Sequence, residues 1–198
     1  MKKYQIIYAD PPWSYSNSGF EYSAAKQYNT MPTKDICDLN IGGLADNECS
    51  LFLWGTWPLL PECLDVMKAW GFKYKTIGFV WLKTRENVNQ FQFLPSDKLS
   101  ETPGMGFWTM SNTEFCIIGV KGNPRRLNTG VRQVVYSPLR EHSRKPDEVR
   151  GRIVELMGDL PRIELFARRK VDGWDCWGNE VDSDIEFSLQ GKSDKGGE

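Results

Sequence analysis

Five short apolar runs punctuate the chain: Tyr4–Ala9, Ser50–Trp54, Thr76–Trp81, Thr113–Val120 and Arg162–Ala167. They are rich in β-branched and aromatic residues. Most lack the alternation of apolar and polar positions that marks a sheet wet on one face. The pattern predicts strands covered on both faces. Between the runs the spacing changes. Leu60, Cys63, Leu64, Met67 and Trp70 recur at helical intervals, and Gly71 follows as a stop. Val149, Ile153, Leu156 and Met157 repeat the pattern, with Pro146 expected in the first turn and Gly158 as the stop. Asp147 and Glu148 sit where a helix N-terminus favours negative charge. Thr33 is expected to cap a shorter helix through Ile36 and Leu39. Strands alternating with helices predict an α/β fold, a mostly parallel sheet flanked by helices. Residues 14–31 and 84–112 fit neither period and are rich in Gly, Asn and Ser. Connections this long in a compact domain carry function more often than they idle.

The length, 198 residues, fits one compact domain and a tail. The expected division is a domain over 1–182 and an acidic, flexible tail over 183–198. A hydrophobic share of 40% excludes wholesale disorder. No apolar run approaches the roughly 20 residues that span a bilayer. The run after Met1-Lys2-Lys3 is too short for a signal peptide. These features predict a cytoplasmic protein with no membrane partner. Five cysteines without a Cys-x-x-Cys pair read as small buried hydrophobes, and a lone His142 argues against a histidine metal site. No metal is expected. Near-neutral charge conceals an asymmetry. Residues 121–170 carry thirteen Lys/Arg against six Asp/Glu, whereas 171–198 carry two against eight. The basic block fits either a polyanion footprint or a solvated face. Eight Trp suit a heavy core, or base stacking.

The chemistry begins where the first strand ends. Asp10-Pro11-Pro12-Trp13 directly follows Tyr4–Ala9. In α/β sheets, ligands bind off the carboxyl ends of strands. Two consecutive prolines fix the backbone and donate no hydrogen bonds. What remains beside the carboxylate is a set of carbonyl acceptors. That arrangement suits a group with two N–H donors, such as an exocyclic amine, and Trp13 offers a face for a heteroaromatic ring.

Asp10-Pro11-Pro12-Trp13 resembles the catalytic signature of S-adenosylmethionine-dependent adenine amino-methyltransferases, in the branch that includes the mRNA adenosine methyltransferase catalytic subunit and compact bacterial and phage enzymes. The resemblance continues in family order through Leu51-Phe52-Leu53-Trp54, Val80-Trp81-Leu82-Lys83-Thr84 and Asn112-Thr113-Glu114-Phe115-Cys116. It runs on through Arg144-Lys145-Pro146-Asp147-Glu148, Ile163-Glu164-Leu165-Phe166-Ala167-Arg168 and Trp177-Gly178-Asn179-Glu180, covering roughly residues 3–181. It implies a single Rossmann-like methyltransferase domain with permuted motif order. The catalytic strand comes first, and Arg162–Arg168, expected to be a central strand, comes late. It implies that Asp10 and the Pro11 carbonyl accept from the adenine 6-amino group, within the Pro11-Pro12 turn, while Trp13 holds the base. It also implies that S-adenosylmethionine is held by Asp10, by Lys145 at its carboxylate, by Arg168, and by Asn179 and Glu180 at its ribose hydroxyls. Larger relatives take cofactor contacts from a segment upstream of the catalytic strand. Here other residues must cover the cofactor adenine. Arg168 is not followed by a Gly-x-Gly loop, which argues against a dinucleotide fingerprint and not against this family.

An adenine inside a duplex must be extruded before its amine is reachable. Tyr15, Asn17, Tyr22 and Tyr28 are candidates to stack on the base or contact it. Arg125, Arg126, Arg132, Arg140 and Arg144 are candidates to track phosphates. The expected partner is nucleic acid, DNA favoured over RNA, in a prokaryotic or phage-infected cell, acting as monomer or homodimer. Three alternatives stand beside this: an RNA adenine methyltransferase, a non-catalytic nucleic-acid-binding partner subunit, and transfer to another amine such as cytosine or a protein amide.

Overall fold

The structure, a computed structural model, describes residues 2–14, 30–84, 108–109, 111–141 and 144–186. Seven strands form one sheet: β1 (Tyr4–Ala9), β2 (Ala45–Gly55), β3 (Lys73–Thr84), β4 (Thr113–Lys121), β5 (Val134–Pro138), β6 (Arg162–Leu165) and β7 (Asp175–Trp177). Three α-helices accompany them, α1 (Thr33–Cys37), α2 (Leu60–Ala69) and α3 (Glu148–Met157). The strand order is β5-β3-β4-β2-β1-β6-β7. Four pairings are parallel, and the two made by β4 are antiparallel. Six strands therefore run one way and β4 alone runs back.

The absence of alternation in the apolar runs has its cause here. Ile7, Ala9, Leu51 and Leu53 pack on one face with Ile36, Cys63, Val66, Met67 and Trp70 of the α1–α2 layer. Ile6, Tyr8, Phe52 and Trp54 pack on the other with Val149, Ile153 and Met157 of α3. Both faces are covered, so successive residues are both apolar. The end of α2 bears out its stop signal. Gly71 has φ 82°, and the amides of Gly71 and Phe72 return to the carbonyls of Lys68 and Met67. Gly158 at φ 98° closes α3.

Several expectations need correction. Strands β5 and β7 carry no strong apolar run and were not expected. Thr33 is not a cap: it is the first residue of α1, which follows Pro32 and has no side-chain cap. Pro146 precedes α3, whose N-cap is Asp147. Strand β6 is next to the edge strand β7 rather than central, and it ends at Leu165 because Phe166 takes the left-handed φ of 60°. The tail does not begin at Ser183. The Ser183 hydroxyl accepts from the Gly178 amide at 3.1 Å, the Asp184 carboxylate accepts from the Cys176 amide at 2.9 Å, and Ile185 packs on the core. Residues 187–198, the rest of the expected tail, lie outside the described residues, as does His142.

Cys49, Cys63, Cys116 and Cys176 are buried, and Cys37 is half-buried. Burial pushes the Cys49 and Cys63 thiols up to about 12 and that of Cys176 up to about 11. All five are unpaired, as small apolar residues would be.

Candidate active site

One end of the sheet collects the chemistry. Six strands end there, so Asp10 after β1, Lys83 near the end of β3 and Arg168 beyond β6 arrive together. The reversed strand β4 begins at the same end and brings Glu114. The segment before α3 adds Lys145.

These residues form a continuous ionic chain. Lys145 Nζ lies 2.9 Å from Asp10 Oδ1 and 3.2 Å from Glu114 Oε2, and Lys83 Nζ lies 2.8 Å from Glu114 Oε1. The Lys145 ammonium also sits 5.8 Å from the Trp54 ring centroid. Burial pushes the Asp10 carboxyl up, partly opposed by Lys145, while the nearby Glu114 charge adds to the rise. Burial also raises Glu114, but Lys145 and Lys83 outweigh it and hold that carboxyl below its usual range. Lys145 loses solvation yet is held firmly protonated by the two carboxylates. Glu114 is thus a charged brace, and Asp10 is the less committed carboxylate. Its side chain keeps 29% exposure, against 6% for Glu114.

The Pro-Pro turn is fixed by its own acceptors. The Pro11 carbonyl accepts from the Trp13 amide at 2.9 Å, and the Pro12 carbonyl from the Met31 amide at 2.7 Å. A carbonyl has two lone pairs, so Pro11 retains one. The Trp13 indole donates to the Trp54 carbonyl at 3.0 Å, and the residue is only 9% exposed. The open stacking face expected of Trp13 is therefore corrected: the ring is packed against the core, where it anchors the turn.

Asp10 and Lys145 line a cleft of about 500 Å³ shared with Tyr8, Glu164, Phe166 and Arg168. That falls within the roughly 300–1,000 Å³ of small-molecule sites. Arg150 forks onto Glu164 with contacts of 2.7 and 2.6 Å and lies over the Tyr8 ring, while the Tyr8 hydroxyl accepts from the Trp54 indole at 2.7 Å. The left-handed backbone at Phe166, strained for an aromatic residue, turns the chain out of β6 toward the cleft. Its ring meets Trp177 edge-on at 5.3 Å. Glu180 lines the cleft 3.8 Å from Arg168, and Asn179 beside it is exposed.

Of the cofactor candidates, Asp10, Lys145, Arg168 and Glu180 line the cleft and Asn179 does not, and Lys145 spends its charge on Asp10 and Glu114 rather than standing free for a carboxylate. The phosphate candidates divide. Arg140 and Arg144 line the cleft. Arg125 and Arg126 do not belong with them. They follow Lys121, which pairs with Cys49 near the start of β2, at the opposite end of the sheet from Asp10. Arg132 is exposed on the segment leading into the edge strand β5. Tyr15, Asn17, Tyr22 and Tyr28 lie outside the described residues. Sequence reasoning gave no role to Glu114, Lys83, Arg150, Glu164 or Arg169. The signals for Glu114 were a carboxylate at the head of an otherwise apolar run and its place in the family-like segment 112–116, neither of which assigns it a role.

Comparison with known proteins adds three findings. The family model MT-A70 matches residues 4–180. The chain is 36% identical over 216 residues to the Type II methyltransferase M.MunI of Mycoplasma sp, covering 98% of this chain and 85% of that protein. It is 32% identical over 183 residues to the N(6)-adenosine-methyltransferase catalytic subunit METTL3 of Homo sapiens, covering 91% of this chain but 28% of that protein.

Proposed function

The chain belongs to the MT-A70 family, and from that premise we propose that it methylates the 6-amino group of adenine in DNA, using S-adenosylmethionine. DNA is preferred to RNA because the Type II methyltransferase is matched over most of its length, the human adenosine methyltransferase over about a quarter.

The observation that carries the reading is Asp10 in an acceptor-only turn at the mouth of a cleft. S-adenosylmethionine supplies, when bound, a methyl group already activated by a sulfonium. The residues present fit such a group. Glu180 and Asn179 offer acceptors to a ribose diol, Phe166 an aromatic wall, and Arg168 a cation at the cleft edge. Asp10 and the second lone pair of the Pro11 carbonyl accept from the adenine amine. An amine nitrogen conjugated to a purine ring is a poor nucleophile. Two acceptors on its hydrogens favour the pyramidal form and offset the positive charge that grows as the new bond forms. Lys145, itself held by Glu114, fixes the Asp10 side chain, and holding the amine in line with the sulfonium methyl removes roughly 7–11 kcal/mol of the barrier of the bimolecular reaction. The amine proton leaves after transfer, so the reaction does not require Asp10 to be a strong base.

A labelled-methyl assay on single-stranded DNA, duplex DNA and RNA, followed by nucleoside analysis, tests this. The expected product is N6-methyladenine in DNA. Asp10→Ala abolishes it while cofactor binding persists. Label found only in cytosine or protein would overturn the reading.

A further inference from the structure

Asp147, at the N-cap of α3, is ion-paired with Arg140 at 2.7 Å, Arg144 at 2.6 Å, Arg150 at 3.1 Å, and Arg169. A carboxylate has one charge and two oxygens; four guanidiniums around it exceed what it neutralises. Arg150 has a second partner in Glu164. Among the described residues, Arg140, Arg144 and Arg169 have Asp147 as their only carboxylate, and Glu141, in the same cleft, makes no ion pair with them. Their side chains keep 39%, 39% and 47% exposure, so the surplus charge faces outward. The Nε of Arg144 is buried and meets no acceptor among the described residues.

The geometry points to an oxyanion site: Arg140, Arg144 and Arg169, gathered by Asp147 at the rim of the cleft, take a backbone phosphate of the strand whose adenine is presented to Asp10. This rests on the methyltransferase reading and adds to it where the strand is gripped. Guanidinium forks match non-bridging phosphate oxygens. Three of them, held in one orientation by a shared carboxylate, lose less rotamer freedom on binding than three free arginines. Asp147 is therefore a positioning residue. The cofactor carboxylate shares this chemistry. The strand is the better source, because the guanidiniums are solvent-facing and stay within reach of a polymer when the cleft is filled.

The test is equilibrium binding of an adenine-containing DNA oligonucleotide across a salt series, with S-adenosylmethionine affinity measured separately by calorimetry. Arg140→Gln/Arg169→Gln weakens oligonucleotide binding by about tenfold and lowers the slope of log affinity against log salt by about 1. Cofactor affinity stays within about twofold. Asp147→Asn weakens strand binding despite removing a negative charge. A purely electrostatic surface would bind more tightly, and that result would overturn the positioning role. Arg140→Gln alone, which keeps the other three pairs of Asp147, serves if the double variant fails to fold. Loss of cofactor affinity with strand binding intact assigns the site to the cofactor carboxylate and sinks the proposal, as does no change in either. Binding is read without turnover. A wild-type chain that methylates no adenine would refute the proposed activity and leave this result standing.

Discussion

Asp10 carries two opposing influences that fix how activity depends on pH. Burial and the Glu114 charge push its carboxyl up, and Lys145 pulls it down. The net direction is upward, so the acid limb of kcat/KM lies above the ordinary Asp value of about 3.9. Removing the ammonium removes the lowering influence. Lys145→Met is therefore expected to move that limb to higher pH, with a reduced plateau because Asp10 loses its brace. A pH profile of both proteins checks this; a limb that moves to lower pH contradicts the assigned chain. Asp10 was legible because its whole setting is contiguous: strand, acid, two prolines, Trp. Glu114 was not, because its role exists only once β4 runs against its neighbours. The same residue at the head of a parallel strand would lie at the far end of the sheet.

At the scale of elements, the ends of β6 and β7 are held together by a close approach. A Cβ on Gly178 would stand 2.1 Å from the Ala167 carbonyl oxygen and 2.8 Å from its nitrogen. These are backbone atoms and cannot swing aside. Gly178→Ala must push apart the segment bearing Asn179 and Glu180 from the one bearing Arg168. The expected result is a loss of about 1–3 kcal/mol in stability, with cofactor affinity falling more than strand affinity. Urea denaturation and calorimetry measure the two effects, and unchanged cofactor affinity would remove Asn179 and Glu180 from the site. Strands β1, β2, β4 and β6 could be read from apolar runs because those runs are buried on both faces, and β3 from the short run around the buried Phe79 and Trp81. Strand β5 could not: Val134 and Tyr136 are exposed at the sheet edge, and Pro138 closes it. Strand β7 has three residues, Asp175–Trp177, too few for any period to register.

The molecule as a whole separates charges that are adjacent in the sequence. The basic block reads as one footprint along the chain. Folded, α3 spans the sheet, and the block divides between the cleft end and the opposite end. Arg125→Gln/Arg126→Gln is therefore expected to leave kcat unchanged and to alter the oligonucleotide KM by less than about twofold, measured in the same methyl-transfer assay. A large rise in KM would mean that the strand wraps to the far end. Only topology could make this division, since charge counting has no sense of which strand end a loop adjoins. The burial of the cysteines has a practical corollary. A disulfide-exchange reagent added to the native protein should report a single accessible sulfur, Cys37, and all five after denaturation. That leaves one natural attachment point for a fluorophore, at the end of α1 and outside the lining of the Asp10 cleft, from which strand capture could be followed in real time.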